Sequence, residues 1–259
     1  MTTKFSGQRA ERFKRDRGQG ATQARSRRRL RVDGSALDRR TQILEVSERL
    51  FAEYGFEGTS VRQIADEVNL LAGSLYYHFA TKEEILHEIL RDPMERMLQD
   101  NIATAQFPGD AEHKIVANTL IRFHRGINDG LAQSIILTDS KFFRRREDFA
   151  YIPQYKQQSF DLLEGILKEG VENNLFRPDI DTYLMIGTFA RMVVSAASWF
   201  RSGDIYSTDK PDSYTFDRVV DFYLDSALRL IRLPSRFDEP VPREVCERLV
   251  LPRLISAPA

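Results

Sequence analysis

Apolar residues recur at helical spacing along almost the whole chain, and nowhere do they alternate long enough to make a convincing strand. That confines the fold to the all-α class, helices packed on helices. Ile43, Leu44, Leu50, Phe51 and Tyr54 mark one face of a helix from Asp38 to Tyr54, and Gly55 is placed to stop it. Val61, Ile64, Ala65 and Val68 follow i, i+3, i+4, i+7, which predicts a short second helix capped by Thr59 or Ser60. Leu71, Leu75 and Phe79 fall at i, i+4, i+8, a short third helix with all three on its buried face. Thr81 and Glu84 have the spacing of a capping box, so a fourth helix starts there, with a bend expected at Pro93.

Longer helical patterns follow at about 110–129, 131–143, 148–173, 181–201 and 213–232. Turn residues separate them: FPGD at 107–110, NN and RPD within 173–179, and SGD through KPDS at 202–213. The last 26 residues hold five prolines and read as a tail with one short helix near 242–250. No internal repeat is visible. Residues 182–200 approach the length of a membrane span, but Arg191 sits in their middle and Thr182, Thr188, Ser195 and Ser198 dilute them. A buried helix of a helical domain is the expectation, with no membrane partner.

The formal net charge is zero, yet residues 1–37 hold 11 Lys/Arg against 3 Asp/Glu, while the remainder holds 27 against 35. Such an arm fits a polyanion, and equally a solvated tail, disordered in isolation. Cys246 is the single cysteine, which excludes an internal disulfide framework and fits a reducing, cytoplasmic setting. The N-terminus lacks the apolar stretch of a secretory signal.

Two short helices separated by few residues, with a longer one before them, make the arrangement of a helix-turn-helix, whose second short helix enters the DNA major groove. The stretch GSLYYHFATK at 73–82 fits that use. With Leu71, Leu75 and Phe79 inward, Gly73 and Tyr77 point most nearly away, and Ser74, Tyr76 and His78 flank them. A small residue lets backbone approach base edges, and hydroxyls can reach phosphates or bases. Lys82 opens the fourth helix, where backbone N–H groups also favour a phosphate.

Residues 41–90, with FAEYGFEGTSVRQIA, then GSLYYHF, then Lys82 in that order and spacing, resemble the N-terminal domain of TetR-family transcriptional regulators. The resemblance implies an all-α protein of about nine helices: a three-helix DNA-binding domain at 38–84 and a helical ligand-binding and dimerisation domain at 85–233. A basic arm at 1–37 and a Pro-rich tail at 234–259 flank them. It implies a homodimer on palindromic double-stranded operator DNA, with a small-molecule effector in the C-terminal helices. By position, Thr59 resembles the family's phosphate contact at the second helix, Tyr76 and His78 its backbone contacts, and Lys82 its phosphate anchor. Gly73, Ser74 and Tyr77 occupy recognition-helix positions that can face bases, and Arg62 and Gln63 are further contacts from the second helix. One departure is Leu71, where many members have a capping Ser or Thr.

In the C-terminal half, the last two long helices are expected to form the dimer interface, with Val219, Phe222, Tyr223, Ser226 and Leu230 as a buried stripe and Trp199 and Phe200 at interface, pocket or core. Arg191 is the only charge within 182–200. It needs an internal carboxylate such as Asp139, Asp161 or Glu164, or an anionic ligand, or an exposed interface position. The stretch 144–181, through YIPQYKQQ and FRPDID, resembles the acyl-CoA-responsive subgroup that includes the repressor of cholesterol-ring degradation. In that subgroup Arg191 matches a ligand-site arginine, whereas Ser195 replaces a tryptophan. Arg144, Arg145, Arg146 and Lys156 are then candidates for CoA phosphates, set against the plainer reading of a solvated helix end.

Enzymatic readings lack support. The histidines at 78, 87, 113 and 124 show no metal-ligand spacing, GQGATQ at 18–23 lacks the glycines of a dinucleotide loop, and no GxSxG, P-loop or SxxK element occurs. No cofactor is expected. The reading is a repressor released by a small hydrophobic effector, an acyl-CoA thioester by the narrower resemblance. A regulator of efflux or stress genes answering a drug-like ligand, or a dimeric scaffold without specific DNA binding, stays open. Deleting residues 1–37 is expected to weaken operator binding and flatten its salt dependence, by about 0.9 in log–log slope for each phosphate that the arm neutralises; filter binding across a salt series measures this, and an unchanged slope refutes it.

Overall fold

The computed structural model describes residues 39–202, 204–205, 208–209 and 215–256. The basic arm at 1–37 lies outside them. The described residues form eleven α-helices, two short 3-10 turns and one two-residue antiparallel pairing, Asp204–Ile205 with Thr208–Asp209, which the sequence pattern did not announce.

Helix α1 (Arg39–Tyr54) ends at Gly55, whose φ of +76° is open to glycine without strain. Ser60, not Thr59, caps α2 (Val61–Glu67): its hydroxyl accepts from the Gln63 amide and Gln63 Oε1 returns a bond to the Ser60 amide at 2.7 Å. Asn69 then turns left-handed at φ 56° and closes the helix. Helix α3 is short, Ala72–Leu75, and Tyr76–His78 continue as turn. Its predicted inner face needs correction. Leu75 and Phe79 are buried, but Leu71 is the extended N-cap and its side chain is 80% exposed. Position i of the expected row precedes the helix, so the helical phase does not carry it inward.

Helix α4 (Lys82–Ala105) continues through Pro93. Its Thr81 cap accepts from the Glu84 amide at 3.0 Å, while Glu84 reaches back to the Ala80 amide rather than to Thr81. Then come α5 (Ala111–Asn128), α6 (Gly130–Thr138), α7 (Ser140–Phe143), α8 (Tyr151–Glu172), α9 (Thr182–Ser202), α10 (Phe216–Ile231) and α11 (Arg243–Ser256). The single helix expected over 131–143 is thus broken at Asp139, and the tail helix is longer than predicted, running through Pro252. Nor is α11 peripheral: Cys246 and Val250 join the core packed around α5. Burial pushes the Cys246 thiol up to about 12, and it donates to the His113 carbonyl.

Helix α9 is not buried all round. Ile186, Val193 and Ala196 point inward, while Tyr183, Leu184, Thr188, Arg191 and Ser195 are exposed. None of the described helices is long and apolar enough to cross a membrane. The stripe expected on α10 also divides. Val219, Val220, Leu224, Ala227, Leu228 and Ile231 are buried, Tyr223 and Ser226 are half-buried, and Phe222 and Leu230 face outward.

Two apolar cores result. One joins α5, α8, α9, α10 and α11. The other starts with Ile43, Phe51, Ile64 and Phe79 but is completed by Ala132, Ile135, Ile136, Phe143, Phe149 and Ile152 from α6 to α8. At the end of α8, Gly170 is required by contact: a Cβ there would lie 2.0 Å from the Phe176 ring. Phe176 and Arg232 form an isolated bridge beside it. Arg232 is buried and donates to Glu112, through Nε at 3.1 Å, and to the Glu239 and Pro240 carbonyls. Arg236 approaches the same carboxylate at 3.7 Å. Glu112→Gln leaves this buried guanidinium without its countercharge and is expected to lower unfolding free energy by about 3–5 kcal/mol, read from the urea midpoint; a shift within error would show the pair to be dispensable.

Candidate nucleic-acid interface and effector region

The short helix α3 owes its presentation to its surroundings. Leu75 and Phe79 anchor it inward, and Arg40 of α1 fixes the turn after it. Arg40 Nη1 donates to the His78 carbonyl at 2.6 Å, Nε to Glu88 at 3.1 Å, and the guanidinium lies 4.1 Å from the Phe79 ring centroid. Sequence reading missed Arg40 and Glu88. Their separation of 48 residues leaves no local signal.

What remains outside is the expected polar and aromatic face. Gly73, Tyr76 and Tyr77 are exposed, Tyr77 at 91%, and Ser74 and His78 are half-buried beside them. A Cβ on Gly73 would meet nothing within 4 Å, so the chain's own packing does not require glycine there. Arg62 is exposed on α2, and Gln63 is exposed but spends its amide oxygen on the Ser60 cap. Helices α2 and α3 pack against each other in helix-turn-helix order, with these residues on their outer surfaces.

Thr59 and Lys82 require correction. The Thr59 side chain is 1% exposed, and its hydroxyl donates to the Leu50 and Gly55 carbonyls at 3.2 and 2.9 Å. It closes the turn between α1 and α2 and presents no hydroxyl outward; Ser60 holds the outer capping position. Lys82 Nζ donates to the Phe56 and Thr59 carbonyls at 2.6 and 2.7 Å and lies 4.1 Å from the Phe56 ring centroid. Burial lowers its pKa, with Glu83 and Glu57 opposing. Lys82 therefore anchors the turn first, with any phosphate contact made by what its ammonium and the α4 N-terminus have left.

The residues expected at an effector are divided between the surface and the C-terminal core. Arg191 and Ser195 are exposed on α9, while Trp199 packs against the C-terminal core. The side chain of Phe200 lies outside the described ones. Arg191 is thus exposed and, among the described residues, makes no ion pair with Asp139, Asp161 or Glu164. Arg145 is exposed. Arg146 is engaged by Asp148 at 2.6 Å and approaches Glu83 at 3.6 Å, and its pKa is raised chiefly by the Asp148 hydrogen bond. It is held against Phe142 and Phe149 rather than offered to a ligand. Lys156 is half-buried, and its pKa is lowered by burial first and then by the charges of Arg144 and Arg191. Arg144, just past α7, and Arg191 of α9 thus both lie near enough to Lys156 of α8 for their charges to act on it.

A narrow cavity of about 20 Å³ lies instead between α5, α8 and α9, walled by Ile115, Leu163, Leu167, Ile186, Phe189 and Val193, with Asn118, Thr119 and Arg122 at its polar end. Sequence reading missed it, because it arises from three helices that meet only in the folded chain. No group of three or more His, Cys, Asp or Glu side chains able to hold a metal occurs among the described residues.

An outward recognition face carried on a helix-turn-helix, backed by an all-helical second core, defines a DNA-binding regulator. Residues 43–89 match the profile described as bacterial regulatory proteins, tetR family. The HTH-type transcriptional repressor KstR2 of Mycobacterium tuberculosis is 30% identical over 174 residues, covering 67% of this chain and 86% of that protein. KstR2 of Rhodococcus jostii is 30% identical over 190 residues, 73% of this chain and 89% of its own. The solved structure of the ketosteroid transcriptional regulator KstR2 of M. tuberculosis superposes with a TM-score of 0.65 at 27% identity, over 78% of this chain and all of the other. The chain belongs to the TetR family, as a regulator of the KstR type, and is not an enzyme.

Lys82→Met keeps the aliphatic stem but removes two charge-assisted bonds to backbone, and is expected to destabilise the protein by about 1.5–3 kcal/mol. Thermal unfolding measures it, and unchanged stability would show that Lys82 is held there without consequence.

Proposed function

We propose that the protein is a homodimeric repressor that binds palindromic operator DNA through α2 and α3 and is released by a small hydrophobic effector, an acyl-CoA thioester of lipid or steroid catabolism. It acts in the cytoplasm, where its operator lies. The observation that carries the DNA-binding part is the face of α3: Gly73 unneeded by the fold and Tyr77 almost fully exposed. An exposed tyrosine beside an unobstructed backbone suits phosphate and base contact.

The dimer reading is supported by Tyr183 and Leu184 on α9 and Phe222 and Leu230 on α10, large apolar groups left outward on neighbouring helices. The thioester reading is supported by likeness to repressors named KstR2 and to the solved ketosteroid regulator. It also draws on the grouping of Lys156 with Arg144 and Arg191, cations suited to CoA phosphates. Binding that separates the recognition helices beyond two successive major-groove positions would release the operator by population shift.

The test is operator binding to the gene's own upstream region with and without steroid-derived and long-chain acyl-CoA thioesters. Gly73→Ala and Tyr77→Ala are expected to weaken binding about tenfold or more, a loss of roughly 1–3 kcal/mol per specific contact, while leaving unfolding unchanged. A thioester is expected to release the operator where its free acid does not. Full binding by both variants would refute the interface, and indifference to every thioester would refute the effector.

A further inference from the structure

We propose that Arg122 and Asn101 form an internal anion site that takes the carboxylate of an amphipathic ligand, whose apolar body lies between α5, α8 and α9. The inference rests on the reading that a small ligand enters the C-terminal helices, and the carboxylate ligand it describes is a second class beside the thioester.

Arg122 is half-buried, and a guanidinium drawn partly inside a protein favours a countercharge. Around Arg122 the carboxylates are already taken. Asp100 pairs with Arg125 at 3.0 Å and Asp129 with Arg96 at 3.0 Å. No carboxylate among the described residues lies within ion-pair distance of Arg122; its acceptors are the neutral amide oxygens of Asn118 at 2.9 Å and Asn101 at 3.4 Å. Burial accordingly lowers its pKa, with only the more distant charge of Asp100 opposing.

Asn101 adds a second, independent observation. It is 1% exposed, and its Oδ1 accepts from Asn118 Nδ2 at 2.8 Å as well as from Arg122. Two donors on one oxygen fix the orientation of the amide and leave Nδ2, its other corner, to find a separate acceptor. There Nδ2 is buried with no acceptor. An uncompensated cation and an orphaned donor side by side call for an anionic acceptor.

Arg122 also joins two cavities, each of about 20 Å³. One is the apolar cavity walled by Leu163, Ile186 and Phe189; the other is lined by Pro93, Met97, Asn101 and Gln133 together with the ion-paired Arg96, Asp100, Arg125 and Asp129. A charged head at Arg122 with an apolar body beyond it matches that division. Each space as it stands holds little more than a water molecule. An amphiphile must therefore part α9 from α5 and α8 as it binds. Asn101 lies on α4, the helix whose first residue, Lys82, holds the Gly55–Thr59 turn that precedes α2, so occupancy and the placing of α2 share one element.

The test titrates octanoate, 1-octanol and acetate calorimetrically into the full-length protein and into Arg122→Gln and Asn101→Asp. Octanoate is expected to bind about tenfold to a hundredfold more tightly than 1-octanol, the range of a charge-assisted bond. Arg122→Gln should remove that preference. Asn101→Asp gives Arg122 an internal carboxylate, so it should abolish octanoate binding while raising the melting temperature. Equal affinity for octanoate and octanol, a preference that survives Arg122→Gln, acetate binding as tightly as octanoate, or binding of none of them overturns the proposal. Operator release, measured on the same variants, separates the two readings. Octanoate bound at Arg122 without release keeps the site and removes its role as effector site. Thioester release unchanged in Arg122→Gln, with no octanoate binding, keeps the effector and removes the site.

Discussion

The turn from Gly55 to Thr59 is gripped from three directions. Lys82 at the start of α4 takes the Phe56 and Thr59 carbonyls, the Asp139 carboxylate between α6 and α7 accepts the Phe56 amide at 3.1 Å, and Thr59 closes back on Leu50 and Gly55. Phe56 itself packs on Phe51 and Phe142, one from each half of the chain. This turn places α2 after α1, and so determines where α3 stands. A movement of α4, or of the α6–α7 junction, acts directly on the turn that carries the DNA-binding helices.

The same dependence appears in the core. The N-terminal helices are too few and short to enclose their own apolar residues, and Phe143, Phe149 and Ile152 complete the enclosure. His87 of α4 stacks on Phe149 at 3.9 Å, and burial lowers its pKa, with Asp148 opposing. A helix-turn-helix built this way is not a module hung on a linker. It shares close-packed contacts with α6, α7 and α8, and close packing transmits small displacements.

At the far end, the C-terminal helices meet around α5, where apolar packing gives way to a polar row of buried Asn101 and Asn118 and half-buried Arg122. Helix α11 seals the opposite side of α5, and the Arg232–Glu112 pair ties its approach to α10. Polar groups inside a helical bundle specify position at some cost in stability. Here they lie beside the cavity, where a ligand would read them.

The sequence by itself determined the helices, their order and the family. Period, caps and stop signals are local: Gly55 at a left-handed position, Ser60 with Gln63, Thr81 with Glu84, and the GSLYYHF stretch are readable because each interaction closes within a few residues. Even there one side chain went wrong, since Leu71 obeys a helical phase that begins only after it. The tertiary structure alone decided the rest. Thr59 and Lys82 match a DNA-contact pattern in sequence, yet carbonyls of Leu50, Gly55, Phe56 and Thr59 claim their polar atoms. Arg191 stood open in sequence between an internal pair, an anionic ligand and an exposed position, and only the packing of α9 turns that face outward. Which of several arginines lacks a carboxylate depends on where distant helices bring Asp100 and Asp129, and no local pattern encodes that distance.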